Sequence, residues 1–342
     1  MPPSATHSSN PTQTHNEQTD SKKSEETLWR IDTIPGKGKG LFATQELAPG
    51  TLILNESPVV TTDGINSMET AEKDIARALR TKDKESQRAY LSLHNNFPTE
   101  RKAILSNIIR SNGYPLGPNS EVGGVFLNIS RCNHSCRPNA KHSWNRTSQT
   151  QTVYSLRTIA AGEEITLSYL SGGASKERQA SLLQNFQFRC TCDLCSLPAD
   201  ELKASDARIL RAKTLDNTIG NWDSARHSPG KVLANTRKLL DIYREEGIDD
   251  DRLANLYWDA FQVVIMHSDR ARASECARRY VDLKILSEGP ESANVEEVRP
   301  YILKPATQKS FGETKEWDTE VGDVPTELRA ADFDKWLWRV DM

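Results

Sequence analysis

The chain has 342 residues, with 44 lysines and arginines against 47 aspartates and glutamates, and its formal net charge is −3. That length leaves room for two domains, or for one domain with a large appendage. A slightly negative charge argues against a bulk electrostatic grip on nucleic acid, because the phosphate backbone attracts a basic face. No stretch approaches the roughly twenty apolar residues of a membrane span, and the polar start is not a signal peptide. We therefore expect a protein of the cytosol or nucleus, without direct nucleic-acid or membrane contact.

The first 27 residues are rich in Ser, Thr, Asn, Gln and charged side chains, and after the first residue they hold no aliphatic side chain larger than alanine. Such a segment cannot bury enough apolar surface to order itself, so residues 1–27 are predicted to be disordered. From Leu28 the pattern changes to short strands. Trp29–Ile31 and Thr51–Leu54 are apolar runs, and a glycine-spaced turn over residues 36–40 lies between them.

The glycine-spaced turn, Gly36-Lys37-Gly38-Lys39-Gly40, also suggests a loop that cradles phosphate. A P-loop needs a Ser or Thr after its lysine and leads into a helix, whereas Leu41–Ala43 continues as strand-like sequence. The nucleotide-phosphate interpretation therefore fails. A plain hairpin turn remains an alternative for these glycines.

Residues 63–117 interrupt the strands with a helical pattern. Apolar side chains recur there at helical spacing, at Ile75, Leu79, Tyr90, Leu91, Ile104, Leu105, Ile108 and Ile109. Asn112-Gly113, followed by Pro115, ends the last helix. After residue 117 the strands return, with the apolar, glycine-containing run Val122–Ile129 and the alternating run Val153–Arg157.

Two polar runs stand out in the second β-rich part. Asn133–Asn139 reads Asn-His-Ser-Cys-Arg-Pro-Asn, which holds more polar and reactive side chains than an ordinary surface loop needs. Gly162–Tyr169 is a turn that enters a strand, in which Ile165, Leu167 and Tyr169 alternate with polar residues. A phenol in such an apolar setting needs a hydrogen-bond partner. We interpret the two runs as one site.

The six cysteines are too few for a disulfide scaffold in a chain of this length. Cys190, Cys192 and Cys195 form a C-x-C-x-x-C run, which follows a helical pattern over Lys176–Phe186 and can wrap a tetrahedral metal. The spacing leaves the fourth ligand open. Three unrelated buried thiols are the alternative. Cys276 lies in a helical pattern between alanines and is interpreted as core filler.

Four segments together resemble one known family. They are Lys37–Ala43, Asn133–Asn139, Gly162–Tyr169 and Phe188–Cys195, and they occur in the family's order within residues 28–198. The chain resembles the SET-domain protein lysine methyltransferases, in particular the SET-and-MYND group and its fungal relatives. The MYND zinc finger of that group is absent here, because the helical insert contains no cysteine and only one histidine.

The resemblance implies an α+β fold. A β-rich SET domain would be formed by residues 28–62 and 118–172, with residues 63–117 as a helical insert and 173–198 as a zinc-bound post-SET segment. Residues 199–342 would form an α-helical C-terminal region. In that region, Ser228 is predicted to be an N-cap, with Pro229 at the first helical position. Apolar stripes predict helices after Ser228-Pro229, from Leu253, from about Ala271 to Glu288, and around Phe333, Trp336, Leu337 and Val340. Paired helices of this kind resemble tetratricopeptide-like repeats, but no period of about 34 residues is visible. The region either covers the SET domain or forms one wall of a peptide groove.

The implied function is S-adenosylmethionine-dependent N-methylation of protein lysine, on a histone or another protein with an exposed lysine. The resemblance implies Tyr169 as the catalytic residue, and Cys136 as the fourth zinc ligand beside Cys190, Cys192 and Cys195, with Cys132 as the competing choice. The implied cofactor-binding residues are Lys37, Gly38, Lys39, Gly40, Asn133, His134, Tyr169 and Phe188. A loop-bracing role is the alternative for His134, and Glu163 and Glu164 are interpreted as structural. The oligomeric state stays open, with a monomer favoured.

One departure from the group concerns Phe186, which stands where the group has a tyrosine two residues before the adenine-stacking phenylalanine. The missing hydroxyl suggests that the product passes beyond monomethyl-lysine, unless Phe186 is ordinary apolar lining. Two other functions stay open. One is a catalytically weak SET-fold scaffold that binds peptides. The other is a zinc hydrolase, which is disfavoured because a sulfur-only site leaves no open position for water.

Overall fold

The computed structural model describes residues 27–340. Apart from Thr27, the segment predicted to be disordered lies outside these residues. The strands within them are β1 (Trp29–Ile34), β2 (Gly38–Ala43), β3 (Leu52–Glu56), β4 (Val60–Thr61), β5 (Gly113–Pro115), β6 (Gly123–Val125), β7 (Asn133–His134), β8 (Ala140–Asn145), β9 (Thr150–Ser155) and β10 (Glu164–Leu167). The α-helices are α1 (Ala71–Arg80), α2 (Lys84–Leu91), α3 (Ile104–Asn112), α4 (Ser175–Phe186), α5 (Ala199–Ile219), α6 (Trp222–His227), α7 (Pro229–Glu246), α8 (Asp251–Met266), α9 (Arg270–Glu288), α10 (Ala293–Val298), α11 (Pro300–Leu303) and α12 (Ala330–Leu337).

The strands form three small sheets, in the orders β1-β2-β10-β7, β3-β9-β8 and β4-β6-β5. The first sheet begins with a hairpin. Gly36 and Gly38 take φ values of +76° and +81°, where side chains with a Cβ are strained, and the Lys37 amide donates to the Ile34 carbonyl at 3.1 Å. The glycine-rich run is therefore a hairpin turn that continues into β2, as the plain alternative stated.

Three apolar cores hold the molecule together. Leu41, Ile165 and Leu167 belong to the core of the first two sheets, together with Phe126 and Val153. A second core lies between α1, α2, α3 and the third sheet. The third and largest core fills the helical region, where α8 packs between α7 and α9. Helix α9 also lies across β8 and β9, and thereby joins the helices to the strands.

The predicted helical insert contains α1, α2 and α3. Ile75, Leu79 and Ile108 are buried as their spacing predicts, and the buried Tyr90 donates its hydroxyl to the Leu105 carbonyl at 2.8 Å. Leu91 is an exception, because its side chain is exposed at the end of α2. Ile104, at the start of α3, is also exposed.

The helical C-terminal region contains the four predicted helices, together with α5, α6, α10 and α11, which no apolar stripe indicated. The longest of these unpredicted helices is α5, which has 21 residues. Ser228 precedes Pro229 at the start of α7, but its side chain makes no capping hydrogen bond. Val340 lies beyond the end of α12 and is exposed, so it is not part of that apolar stripe.

The predicted α+β class, with a β-rich part and a helical C-terminal region, is confirmed. None of the helices in the described part of the chain combines the length and the apolar character needed to cross a bilayer.

The contact between α9 and β9 allows a direct test. Gly289 ends α9 at φ +88°, and a Cβ added there would lie 2.3 Å from the Tyr154 hydroxyl oxygen. We expect Gly289→Ala to lower the free energy of unfolding by about 3 kcal/mol or more, through backbone strain and overpacking together. Gly312 has φ +76°, and its nearest neighbour would be at 3.8 Å. Gly312→Ala should therefore lower the free energy of unfolding through backbone strain alone, by about 1–2 kcal/mol. Urea unfolding of both variants measures the difference. Equal losses in the two variants would contradict the clash.

Candidate active site

The candidate site is built where the short strand β7 pairs in parallel with β10. Asn133 lies opposite Thr166 and His134 opposite Leu167. Asn139 then clamps the returning loop, because its Oδ1 accepts from the Thr166 amide at 2.8 Å and its Nδ2 donates to the Glu164 carbonyl at 2.8 Å. Asn139 is 1% exposed, so these bonds satisfy a buried side chain. The two polar runs of the sequence thus form one unit, as predicted.

The segment that enters β7 is held by Glu56, a residue at the end of β3 that sequence reasoning missed. Its carboxylate accepts from the amides of Asn128 and Ile129, at 3.1 and 2.8 Å, and from the Asn128 side chain at 2.7 Å. Burial raises the pKa of Glu56 in spite of these bonds. An acidic residue at the end of an apolar strand is an ordinary surface pattern, so the sequence held no signal for this role.

Asn133 faces the hairpin of β1 and β2. Its Nδ2 donates to Glu164 Oε1 at 2.8 Å and to the Lys39 carbonyl at 3.2 Å. A Cβ at Gly40 would lie 3.0 Å from Asn133 Nδ2, 3.0 Å from Glu164 Oε1 and 2.6 Å from Ile34 Cδ1, so a larger residue here would displace these side chains. Lys37 Nζ is 3.9 Å from Glu164 Oε2.

These contacts bring Asn133, Lys37, Gly40 and the backbone of Lys39 together around Glu164. Gly38 lies at the exposed start of β2, where a Cβ would meet nothing within 4 Å. Glu164 was interpreted as structural, yet it is the acceptor at the centre of the predicted cofactor residues. Glu163 does have a structural role, because it caps the turn by accepting from the Ala160 amide at 3.0 Å.

His134 braces the site from within. Its Nδ1 accepts from the Tyr169 amide at 3.0 Å, so the neutral ring carries its proton on Nε2, which lies 3.3 Å from Cys136 Sγ. Burial lowers the pKa of His134 to about 4, so the ring is neutral at pH 7. The loop-bracing alternative therefore describes the side chain of His134 in this structure.

Tyr169 lies two residues beyond β10, inside a cluster of aromatic rings. Its hydroxyl donates to the Cys132 carbonyl at 2.7 Å, which gives the buried phenol its partner. The ring centroid is 4.9 Å from that of Phe186, 5.3 Å from that of His134 and 6.5 Å from that of Phe188. Burial raises the pKa of Tyr169, so the hydroxyl keeps its proton at neutral pH. It can orient a substrate by hydrogen bonding, but it cannot be a resting anion.

The two phenylalanines reach Tyr169 because of the way α4 ends. Phe186 is the last residue of α4, and Gln187 turns the chain in the left-handed conformation at φ +60° before Phe188. Both rings are half-buried. The turn places two rings from adjacent stretches of chain on the same side of the site, next to Tyr169.

Tyr114, in β5, is a further neighbour that sequence reasoning missed. Burial is the largest cause of the raised pKa of Tyr114, and the nearby Tyr169 raises this pKa further. Its hydroxyl donates to the Ile129 carbonyl at 3.4 Å, and its ring centroid is 4.8 Å from that of His142. The sequence showed only a helix end at Gly113 and Pro115, and the aromatic residue between them was the unused signal.

The four predicted metal ligands lie together. The Sγ atoms of Cys136, Cys190, Cys192 and Cys195 are all within 4.8 Å of one another. Cys136 Sγ is 3.6 Å from Cys195 Sγ and 4.0 Å from Cys190 Sγ, and ligands of tetrahedral zinc at about 2.3 Å are about 3.8 Å apart. The cluster could therefore hold one zinc ion.

Two further observations fit such a metal. Arg178 is 3% exposed and its Nη2 is 3.8 Å from Cys195 Sγ, so a cation lies beside sulfurs that would be thiolates. Cys132, the competing choice of ligand, is packed in the core of the strands. Cys276 is buried in the helical core, as expected of core filler.

A cleft of about 640 Å³ lies between the strands and the helical region. One side is β8 and the residues after β5, and the other is the start of α8 and the end of α9 with α10. Ser168 and Leu170 line the cleft on either side of Tyr169 in sequence. Five carboxylates and three cations line it, which gives an acidic lining: Asp250, Asp251, Glu288, Glu291 and Glu297 against Lys141, Arg146 and Arg252.

Comparison with known proteins gives this site a family. Residues 38–170 match the model of the SET domain. The histone-lysine N-methyltransferase set5 of Schizosaccharomyces pombe is 34% identical over 285 residues, which are 82% of this chain and 85% of that protein. The chain belongs to the SET-domain family of protein lysine methyltransferases. The predicted resemblance is confirmed.

A second relative matches over a shorter stretch, and a solved structure matches at much lower identity. The human protein-lysine N-trimethyltransferase SMYD5 is 39% identical over 87 residues, which are 24% of this chain and only 21% of SMYD5. A solved SET domain of LSMT, bound to lysine and AdoHcy, covers 85% of this chain and 90% of its own, at 11% identity and a TM-score of 0.34. A superposition that loose says nothing about individual residues.

Proposed function

We propose that this SET-domain enzyme methylates lysine in a basic protein, with the methyl donor held at β7 and the substrate in the acidic cleft. The observation that carries the proposal is the position of Tyr169. It follows β10, with its ring against His134, Phe186 and Phe188, while its neighbours Ser168 and Leu170 line the cleft. One residue thus separates the cofactor residues from the proposed substrate path.

The cofactor residues would act through fixed polar groups and one ring. Asn133 offers its amide, which here binds Glu164 and the Lys39 carbonyl. Gly40 lets the backbone of β2 come close, since a Cβ would fill that space. Lys37 and Lys39 are exposed cations at the same hairpin and suit a carboxylate, and the half-buried Phe188 suits an aromatic base. The donor, when bound, supplies a methyl group on a positive sulfonium.

The chain's own part in the transfer is alignment and exclusion of water. A lysine amine that enters an apolar channel has its charged form disfavoured, so it loses its proton more easily than in water. The protonated hydroxyl of Tyr169 and the Cys132 carbonyl, 2.7 Å apart, form a polar pair that can orient this amine. No acidic or basic catalyst is required, which agrees with a tyrosine whose pKa is raised by burial.

The substrate class follows from the charge of the cleft. Its carboxylates outnumber its cations, and they would attract the basic residues around a target lysine. Histones are proteins of this kind, and the name of the fission-yeast relative gives histone lysine as its substrate. A radioactive methyl-transfer assay on an array of basic and acidic peptides tests the proposal. Methylation of acidic peptides alone would contradict it, and cofactor binding without any methylation would favour the scaffold.

We propose that one zinc ion is held by Cys136, Cys190, Cys192 and Cys195. Such a site would tie the segment that carries Phe188 to the loop that carries Asn133 and His134, because Cys136 belongs to that loop and the other three follow Phe188 directly. The sulfur-only ligand set leaves no open position, so the metal would be structural.

Metal removal tests this assignment. Freshly purified protein should contain one zinc per chain by elemental analysis, and Cys192→Ser should lose it. Chelation should also weaken S-adenosylmethionine binding, because the Phe188 segment loses its tether. Cys276→Ala is the matched control, since Cys276 is a free thiol in the helical core. A zinc-free wild-type protein that binds the cofactor with unchanged affinity would disprove the site.

Tyr169 and Asn133 should separate turnover from cofactor binding. Tyr169→Phe removes a hydroxyl that orients the amine, so we expect kcat to fall about 10- to 100-fold while the Kd of S-adenosylmethionine stays nearly constant. Asn133→Ala removes a proposed cofactor contact and should raise that Kd first. The two quantities are measured by methyl-transfer kinetics and by calorimetry. Full activity of Tyr169→Phe on every substrate would contradict the assignment.

Phe186 is proposed to permit more than one methylation. Its ring centroid is 4.9 Å from that of Tyr169, so a tyrosine at this position would carry its hydroxyl on a ring beside the proposed catalytic residue. One hydrogen bond of about 1 kcal/mol shifts a product ratio about fivefold. We expect di- or trimethyl-lysine from the wild type and a shift toward monomethyl-lysine in Phe186→Tyr, by mass spectrometry. Leu183→Ala, on the exposed side of α4, is the control. Monomethyl product from both wild type and Phe186→Tyr would show that Phe186 is only packing.

A further inference from the structure

The loop of Asn133–Asn139 is bound to the helical C-terminal region through one buried carboxylate. Glu246, the last residue of α7, is 1% exposed. It accepts hydrogen bonds from Arg137 Nη2 at 3.0 Å, Ser205 Oγ at 2.6 Å and Arg208 Nε at 2.5 Å. Ser205 and Arg208 belong to α5 and Arg137 belongs to the loop, so three separate parts of the chain meet at this one side chain.

The position of this carboxylate is unfavourable by itself. The C-terminal end of a helix carries partial negative charge, which repels an anion. Burial of a charge costs free energy that an ion pair often fails to regain, and a well-packed apolar side chain would serve stability as well. The three hydrogen bonds outweigh burial and hold the pKa of Glu246 below its ordinary value, so it is a carboxylate at neutral pH. A buried carboxylate at this position therefore holds its three hydrogen-bond partners in one orientation.

Arg137 is the partner that leads to the active site. It lies directly after Cys136, and its backbone is fixed as well, since its amide donates to Ser135 Oγ and its carbonyl accepts from that hydroxyl. The stem of Arg137 packs beside Gly247, where an added Cβ would lie 3.9 Å from Arg137 Cδ. The side chain therefore links the middle of the loop to the end of α7.

We propose that Glu246 is a positioning residue of the methyltransferase site, which acts through Arg137 to hold the loop that carries Asn133, His134 and Cys136. In this arrangement the helical region is a part of the cofactor site and not only a cover for it. The inference rests on the proposed roles of Asn133 and His134 in cofactor binding.

The test compares two neighbouring carboxylates on α7. Glu246→Gln keeps the shape of the side chain but removes its charge, and it should raise the Kd of S-adenosylmethionine about tenfold or more. Glu245 is the matched control, because its side chain is 59% exposed and it pairs with Arg208 rather than with Arg137. Glu245→Gln should change that Kd less than twofold. A lower melting temperature in Glu246→Gln, with Kd and kcat unchanged, would show a merely structural role and overturn the proposal.

A double-mutant cycle tests the route through Arg137. If Glu246 acts through Arg137, the variant Arg137→Gln and the double variant should weaken cofactor binding by the same factor as Glu246→Gln. If the Kd of the double variant is raised by the product of the two single factors, Glu246 does not act through Arg137 and the proposal is overturned. If Glu246→Gln fails to fold, Arg137→Lys is measured instead. Lysine keeps the charge of Arg137 but lacks its planar group, so the Kd should lie between those of the wild type and Arg137→Gln. A wild-type Kd in Arg137→Lys would overturn the proposal. A wild type that binds no cofactor would instead overturn the proposed function.

Discussion

The parallel pairing of β7 with β10 is the constraint on which the rest of the site depends. It involves only two residue pairs, which is too little to be stable alone. Its stability comes from side chains that bond across it, chiefly Asn139, whose amide group bonds β10 on the far side of the loop. A buried network of this kind is stable only when each member is satisfied. Both amide atoms of Asn139 have partners in β10, so this side chain meets that condition.

The same need for hydrogen-bond partners explains why the proposed functional side chains also have structural contacts. His134 carries one bond to the backbone of Tyr169 and one contact to Cys136, so it links the aromatic cluster to the sulfur cluster. The Tyr169 hydroxyl donates to the Cys132 carbonyl, and this bond fixes the ring before any substrate arrives. Preorganised groups of this sort need little rearrangement when a substrate enters, and that is how alignment lowers a barrier.

The sequence predicted what depends on local patterns. Alternation located the strands, helical spacing located most helices, and the cysteine spacing predicted three sulfurs around one point. It could not supply partners that are far apart in the chain. Glu56 and Asn128 are 72 residues apart, and Arg137 and Glu246 are 109 apart. Each is an ordinary polar residue in its own segment, and only the folded topology brings the pair together. Tyr114 was missed for a similar reason, because its helix-end context hid its contact with the site.

The contact between the strands and the helical region is polar where it borders the cleft. Lys141 of β8 pairs with Asp251 and Glu288, and the nearly buried Lys284 binds the same two carboxylates at 2.8 and 2.7 Å. Ion pairs of this kind add little net stability, since desolvation offsets most of the attraction, but they are directional. Two apolar faces could slide past each other, whereas four interlocked charges have one good arrangement. The width of the cleft is thus set by paired charges on both of its sides, where lysines of the chain hold the carboxylates of Asp251 and Glu288 in place.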